Sequence, residues 1–129
     1  MIEKNKSSEL TIEGRKVETN IFPGEIPYAS NAEFYFKNNA EDKEITVVSV
    51  EFKENENISR LETYYLYNED RVLHKKFLIP ANGNLHLKIS FPFISVKAGR
   101  NDTYEVKAKF KSGAHEYEAI SKLLFTFEI

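Results

Sequence analysis

Apolar and polar residues alternate with a period of two along most of this chain. Residues 32–37 carry apolar side chains at even positions, and residues 44–52 form a stretch dense in β-branched side chains. This alternation is typical of a β-strand with one buried face, and β-branched residues favour a pleated surface. Only residues 58–66 also fit the spacing of a helix, and their tyrosines favour a strand. The sequence therefore predicts an all-β protein.

Short turn signals separate the predicted strands in the second half of the chain. They are residues 68–70, Asn82–Gly83 and Ser112–Gly113. Loops this short join antiparallel neighbours. With the earlier strands the count reaches seven to nine, at spacings near ten residues and without crossover helices. The pattern predicts an antiparallel β-sandwich.

The last hairpin has a register that charge and burial both favour. Pairing about Ser112–Gly113 sets Lys109 opposite Glu116, and Lys107 opposite Glu118. Opposite charges then meet on one face, while the apolar side chains of both strands occupy the other. We expect the two lysines to point outward.

The Asn82–Gly83 signal predicts a second hairpin. Pairing about it sets Leu78 opposite Leu87. Alternate residues of the following strand then form a buried row, which consists of Leu85, Leu87, Ile89 and Phe91.

Pairing about residues 68–70 predicts a third hairpin with Leu66 opposite Val72. One face of these strands then joins the buried row, and the other collects five apolar side chains. They are Leu61, Tyr65, Leu73, Phe77 and Ile79. If no loop covers this face, it is large enough to serve as a binding or self-association surface.

Residues 102–110 resemble the tyrosine-corner strand of immunoglobulin-like and fibronectin type III-like domains, because Tyr104 opens a strand with alternating apolar positions. Residues 34–39, 45–47 and 78–83 resemble PapD-like immunoglobulin domains, in which a strand, an Asn-rich turn and a later hairpin recur. The resemblance implies an immunoglobulin-like β-sandwich with a role in adhesion, assembly or scaffolding. It also implies that Tyr104 is buried, with its hydroxyl bonded to the backbone a few residues upstream.

Chain length and composition limit the possible classes of protein. A chain of 129 residues is the size of one domain and can bury a sufficient core. We expect a flexible N-terminal arm at residues 1–9 and a single β-sandwich domain at residues 10–129. The absence of cysteine excludes disulfides, thiol catalysis and structural zinc sites built on thiolates.

Charge and hydropathy exclude further classes of partner. The chain has 18 Lys and Arg against 20 Asp and Glu, so it lacks the basic excess that binding to a phosphate backbone requires. We therefore expect no nucleic acid partner. No apolar run approaches the roughly 18 residues of a membrane span, so we expect no membrane insertion. The N-terminus has no signal peptide, which favours the cytoplasm, although a trimmed exported or cell-surface domain would have the same sequence features.

No catalytic or metal-binding motif occurs in the sequence, so we expect no enzymatic activity, cofactor or metal. His74, His86 and His115 fall on different strands or faces of the predicted sheet and do not form a shared metal site. Three turns rich in asparagine and acidic residues supply oxygen atoms of the kind that Ca²⁺ binds, but without the spacing of a calcium loop. These turns are residues 55–57, 68–70 and 101–102.

The sequence favours a non-enzymatic protein-interaction or structural module, whose partner is another protein or a second copy of the chain. Seven tyrosines and ten phenylalanines exceed what a small core easily hides, so some of them should be exposed. The alternative is a carbohydrate-binding module, in which Tyr35, Tyr64 or Tyr65 stacks on a glycan. A small enzyme or ligand carrier needs a cavity with convergent polar groups, and the sequence does not indicate one.

Overall fold

Eleven β-strands, and no helix, make up the part of the chain that the structure describes. This computed structural model describes residues 9–97 and 102–128. Of the predicted N-terminal arm, residues 1–8 lie outside the described residues, and Glu9 is exposed. In chain order the strands are β1 (Leu10–Gly14), β2 (Val17–Ile21), β3 (Tyr28–Asn38), β4 (Lys43–Glu54), β5 (Asn57–Arg60), β6 (Tyr65–Asn68), β7 (Arg71–Leu73), β8 (Lys76–Ile79), β9 (Asn84–Ser95), β10 (Tyr104–Ser112) and β11 (His115–Phe127).

The strands form two sheets that pack face to face as a sandwich. One sheet has the order β1-β3-β9-β6-β7, and the other has the order β2-β11-β10-β4-β5, with β8 beside β4. Strands β2 and β11 pair in parallel, whereas the other pairs are antiparallel. The all-β sandwich is confirmed. It has more strands than expected because the N-terminal segment is split between the sheets and short strands lie at the sheet edges.

Alternate side chains of both sheets meet in a core rich in phenylalanine. The Phe110 ring packs edge-on against Phe34 and Phe36, with ring centroids 5.7 Å and 5.0 Å apart. Burying each such ring contributes about 1.5–3 kcal/mol. The predicted buried row of β9 is confirmed, and it consists of Leu85, Leu87, Ile89 and Phe91.

The β10–β11 hairpin has the predicted faces but a different register. Its turn residues are Gly113–Ala114, with Gly113 at φ 60°, which matches a turn that needs glycine at its first position. Lys109 therefore lies opposite Glu118, and Lys107 lies opposite Ile120, so both predicted charge pairs are wrong. A shift of two positions in the pairing preserves the side-chain alternation, and the apolar residues of β10 still face the core.

Strand β8 belongs to the sheet opposite β9, so the predicted hairpin with Leu78 opposite Leu87 is wrong. Phe77 pairs with Ile45 of β4. The chain crosses between the sheets in a turn at residues 80–83, which the Gly83 N–H closes by donating to the Pro80 carbonyl oxygen at 2.9 Å. A turn that crosses between sheets and one that closes a hairpin therefore have similar local sequences here.

The β6–β7 hairpin differs from its predicted register by one residue. Leu66 lies opposite Leu73, not Val72, because the turn is Glu69–Asp70 with Glu69 at φ 56°. A shift of one residue moves side chains to the other face. Leu73 consequently packs against the core, and Val72 is exposed.

Asn38, at the end of β3, is fully buried and fastens the crossing between the sheets. Its side-chain amide nitrogen lies 2.8 Å from the Glu41 carbonyl oxygen, 3.1 Å from that of Ile79 and 3.1 Å from that of Pro80. Its side-chain oxygen accepts a bond from the Ala40 N–H at 3.1 Å. One side chain thus joins the β3–β4 turn to the end of β8.

Strand β1 ends at Gly14, where the backbone passes close to β11 and the chain crosses to the other sheet. A Cβ atom at position 14 would overlap the Ile120 carbonyl oxygen, so only glycine fits. The neighbouring Ser121 is fully buried, and its hydroxyl donates to the Arg15 carbonyl oxygen at 2.7 Å and accepts from the Glu33 N–H at 3.2 Å. The Ser121 hydroxyl of β11 therefore bonds to the Glu33 backbone at the edge of β3, in the other sheet, and to the segment that crosses between the sheets at Arg15.

Tyr104 forms the predicted corner at the start of β10. The ring is buried, and its hydroxyl donates to the Lys97 carbonyl oxygen at 2.7 Å and accepts from the Lys97 N–H at 2.8 Å. Burial raises the pKa of the Tyr104 hydroxyl. The prediction of a buried ring bonded to upstream backbone is confirmed.

Replacing Gly14 tests the close approach of β1 to β11. We expect Gly14→Ala to lower the free energy of unfolding by about 3 kcal/mol, because a backbone strand has to move. Gly113→Ala is the matched control, since its Cβ would meet open space and only the left-handed backbone costs energy, about 1 kcal/mol. Urea unfolding of both variants measures the difference. Equal destabilisation would contradict the steric argument.

Asn38→Asp tests the buried amide, because it keeps the shape and removes the donor. Three carbonyl oxygens then face a carboxyl group, and we expect a loss of about 3 kcal/mol at neutral pH. The introduced carboxyl has a raised pKa in the folded state, so stability should partly return as the pH falls. Asn39→Asp, at an exposed neighbour, should change stability little. Thermal melts across pH compare them, and a pH-independent loss would count against this account.

Tyr104→Phe removes only the corner hydroxyl and should cost about 1 kcal/mol, since the backbone groups of Lys97 lose their partner. The raised pKa of Tyr104 also predicts a pH dependence: its contribution is complete below the ordinary tyrosine pKa and is lost as the pH rises through the higher folded-state value. The variant should therefore lose less stability than the parent on alkaline titration. Identical alkaline profiles would refute this role for Tyr104.

Candidate functional site

The five residues of the predicted binding face do not form one exposed surface. Phe77 and Ile79 belong to the core, because β8 lies in the other sheet, and Leu61 and Leu73 pack against that core. The expectation of a shared open face is therefore wrong. Tyr65 alone of the five is exposed and available to a partner.

The three tyrosines considered for glycan stacking also lie apart. Tyr35 faces outward on β3, where the Arg15 guanidinium lies 5.4 Å from the ring centroid. Tyr64 packs against the core with the Lys75 ammonium 5.1 Å from its ring centroid. Tyr65 projects from β6, on the far side of β9 from Tyr35. The structure does not bring these rings together as a platform.

The candidate calcium turn at Asn55 uses its polar groups within the protein. The Asn55 side-chain oxygen accepts the Thr103 N–H at 2.9 Å, and the side-chain nitrogen donates to Asp102 Oδ1 at 3.2 Å. The histidine side chains are exposed and lie apart in the chain: His74 follows β7, His86 is on β9 and His115 begins β11. His86 Nε2 lies 3.0 Å from Glu33 Oε1. Within residues 9–97 and 102–128, no group of three or more His, Cys, Asp or Glu is arranged to hold a metal ion.

A cleft lies between β2 and β3, and it results from the change of sheet at Gly14. Strand β1 pairs only with residues 34–38 of β3, and the chain then crosses to pair β2 with the end of β11. The first half of β3 consequently has no strand on its outer edge. Strand β2 lies at the edge of its own sheet. The sandwich is thus open along this side.

The β2–β3 cleft has a volume of about 610 Å³, within the usual range for binding sites. Its floor is the apolar inner face of β11, and its walls come from β2 and β3. The lining residues are Val17, Thr19, Asn20, Ile21, Gly24, Glu25, Ile26, Tyr28, Ala29, Ser30, Asn31, Leu123 and Phe125. Among these described residues, Glu25 carries the only charged side chain.

A tight turn at residues 22–25 holds one end of the cleft. Pro23 and Gly24 occupy its central positions, and Gly24 has φ 90°, as the third position of a type II turn requires. The Glu25 N–H donates to the Phe22 carbonyl oxygen at 3.0 Å, and the Phe22 N–H donates to Glu25 Oε1 at 2.7 Å. These paired bonds fix Phe22 and the Glu25 carboxylate at the cleft.

Apolar side chains surround the mouth of this cleft. Tyr28 stacks on Phe93 with ring centroids 4.1 Å apart, and Phe127 lies opposite Ile21 of the cleft wall. Phe93 points outward because the register of β3 and β9 shifts between Ala29 and Asn31, beside Pro92. We call the exposed residues at this mouth the apolar rim. They are Phe22, Ile26, Tyr28, Phe93 and Phe127.

The outer face of the β2-β11-β10-β4-β5 sheet differs from the rim because charges alternate across its strands. Glu105 lies between Lys53 of β4 and Lys122 of β11, and Lys107 lies opposite Glu51. Cross-strand pairs of opposite charge stabilise such a face in water by about 0.2–1 kcal/mol each. The register thus places each of these charges beside an opposite charge of its own sheet.

The sequence signals did not predict the cleft, although parts of it were visible. The surplus of aromatics indicated exposed rings. The cleft depends on where β1 leaves its sheet, and the contact of Gly14 with β11 connects residues that are far apart in sequence.

No known protein family matches the sequence, and no curated protein matches it. In the described part of the chain, no helix has the length and apolar character needed to cross a membrane. Among solved structures, the E. coli chaperone DraB is similar to this chain, with a TM-score of 0.51 and 13% identity. The match covers 88% of this chain and 52% of the chaperone.

Two other solved structures are similar at the level of fold. A family 123 glycoside hydrolase from Clostridium perfringens has a TM-score of 0.50 at 10% identity, covering 92% of this chain and 28% of the hydrolase. The human CEP192 PapD-like domain 7 has a TM-score of 0.45 at 12% identity, covering 99% of this chain and 89% of that domain. This chain thus spans about half of the chaperone and under a third of the hydrolase. At these identities the likeness shows the fold alone, and that fold is the expected immunoglobulin-like β-sandwich.

Proposed function

We propose that residues 10–129 form one non-enzymatic domain that acts as a protein-interaction or assembly module, and that its binding surface is the β2–β3 cleft with the apolar rim. The distribution of exposed phenylalanines carries this proposal. Phe22, Phe93 and Phe127 are the exposed phenylalanines of the described residues, and all belong to the rim. The partner is another protein.

The physical argument is the cost of leaving this surface in water. Ile26 is 76% exposed and Phe93 is 72% exposed. Contiguous apolar side chains at this level of exposure mark interaction sites on soluble domains, and aromatic residues dominate the energetics of such sites. Covering them supplies about 25 cal/mol per Å² before the costs of association.

The side chains of the cleft also support an interaction role over catalysis. Apart from Glu25, the polar side chains of the cleft carry hydroxyl, phenol or amide groups. The Glu25 carboxylate accepts a hydrogen bond from the Phe22 N–H at the start of its own turn. General acid–base or metal chemistry needs convergent titratable groups. The solved structures with TM-scores of 0.51 and 0.50 belong to a chaperone and a glycoside hydrolase, so the fold is compatible with either role and the residues of the cleft decide between them.

Ile26→Asp tests the rim by placing a charge at its most exposed apolar residue. We expect the variant to fold like the parent, within about 0.5 kcal/mol, and to lose the partner. The measurement is recovery of proteins from an extract of the native source on immobilised parent and variant domains, identified by mass spectrometry. A folded Ile26→Asp variant that retains every partner of the parent would refute the proposal.

Ile58→Asp is the matched control for that experiment. Ile58 is 58% exposed on β5, which lies at the edge opposite β2 in the same sheet. The same chemical change is therefore made away from the cleft. The control should recover the same partner as the parent. Loss of the partner in both variants would show that the rim is not a specific surface.

A further inference from the structure

We infer that the partner of the β2–β3 cleft is an extended, uncharged or basic peptide segment that enters as an additional β-strand between β2 and β3. This inference rests on the proposed function and specifies the form of the partner. It follows from the unpaired backbone on the two facing edges of the cleft.

The edge of β3 has free backbone groups at Asn31. The Glu33 N–H donates to Ser121 Oγ, and the Glu33 carbonyl oxygen accepts the Arg15 N–H at 2.8 Å, so Glu33 points its backbone toward this edge. Backbone direction alternates along a strand, and Asn31 therefore points its N–H and C=O the same way. Strand β1 ends before reaching Asn31, which lines the cleft.

The edge of β2 has a matching pair of groups at Asn20. The Ile21 carbonyl oxygen accepts the Glu128 N–H at 2.8 Å, so Ile21 points its backbone toward β11. By the same alternation, Asn20 points its N–H and C=O away from β11. Asn20 also lines the cleft. Each wall thus offers a donor and an acceptor to a strand lying between them.

The size of the cleft favours a peptide segment over a folded partner or a second copy of the chain. Thirteen residues line the cleft, and the rim adds Phe22, Phe93 and Phe127, whereas each side of a stable interface between folded proteins uses about 20–30 residues. Strand β2 has five residues, so its edge can pair with a segment of similar length. An inserted strand would direct alternate side chains onto the apolar floor at Leu123 and Phe125.

The charge of the cleft restricts the composition of that segment. The Glu25 carboxylate is the only charged side chain among the described lining residues, and it is fixed at one end by the Phe22 N–H. An acidic residue next to it would be repelled, whereas a lysine or arginine would be attracted. The expected segment alternates apolar and uncharged polar residues, with a basic residue at the end near Glu25.

The test uses short linear peptides selected from a random phage-displayed library on the immobilised domain and then synthesised. We expect the selected peptides to slow hydrogen exchange at the Asn20 and Asn31 amides. The Glu33 amide is the internal control, because it is already bonded to Ser121 Oγ. Selected peptides that bind without slowing hydrogen exchange at either amide would overturn the inference. A selection that yields no peptide whose binding is lost in the Ile26→Asp variant would also overturn it.

N-methylation of the best peptide separates strand pairing from simple apolar contact. Methyl groups on alternate amide nitrogens block the strand edge that faces one wall, and each blocked pattern should weaken binding about tenfold. Asn20→Pro should have a similar effect by removing one N–H that β11 does not use. Equal affinity of the methylated and parent peptides would overturn strand insertion.

These results are distinct from failure of the proposed function. If the native partner is lost in Ile26→Asp but the peptides show no strand pairing, the rim is a binding surface and strand insertion is wrong. If peptides pair with both edges while Ile26→Asp keeps its native partners, the cleft accepts a strand and the proposed interaction function is wrong.

Discussion

The path of the N-terminal segment depends on the two hydrogen bonds of the Ser121 hydroxyl. At Gly14 the backbone leaves the ladder of one sheet, and a carbonyl at Arg15 and an amide at Glu33 need partners away from that ladder. A buried polar group without a partner costs about 1–3 kcal/mol, so the hydroxyl makes the crossing tolerable. Strand β1 can then cover half of β3 while β2 extends the other sheet. The cleft is the remaining uncovered half.

Asn38 has an equivalent position at another change of sheet, between β8 and β9. In both places an uncharged polar side chain is fully buried, and its bonds go to backbone rather than to other side chains. The phenylalanine core favours collapse of any alternating strands, since burial of apolar area is non-directional. Hydrogen bonds are directional, and these two side chains specify which sheet each segment joins.

The alternating pattern was sufficient to predict most of the strands and the buried row of β9, because these depend on neighbouring positions. The corner at Tyr104 was implied by the resemblance to immunoglobulin-like domains. The register between paired strands was harder to predict, since it depends on turn geometry. Moving the last turn to Gly113–Ala114 preserved the faces of β10 and β11, whereas a one-residue shift at Glu69–Asp70 turned Leu73 inward. The sheet of β8 and the existence of the cleft depend on contacts of Asn38 and Gly14 with distant residues, which local patterns do not contain.

The parallel pairing of β2 with β11 has a consequence for the order in which the chain is made and folds. Arg15 and Ser121 are 106 residues apart in sequence, so the ribosome releases β2 long before the strand that completes its sheet. Non-local pairings of this kind form late and slow the folding of β-proteins. One wall of the cleft therefore becomes ordered only after β11 has been synthesised. A ligand that needs both walls would distinguish chains in which β2 has paired with β11 from nascent chains that lack β11.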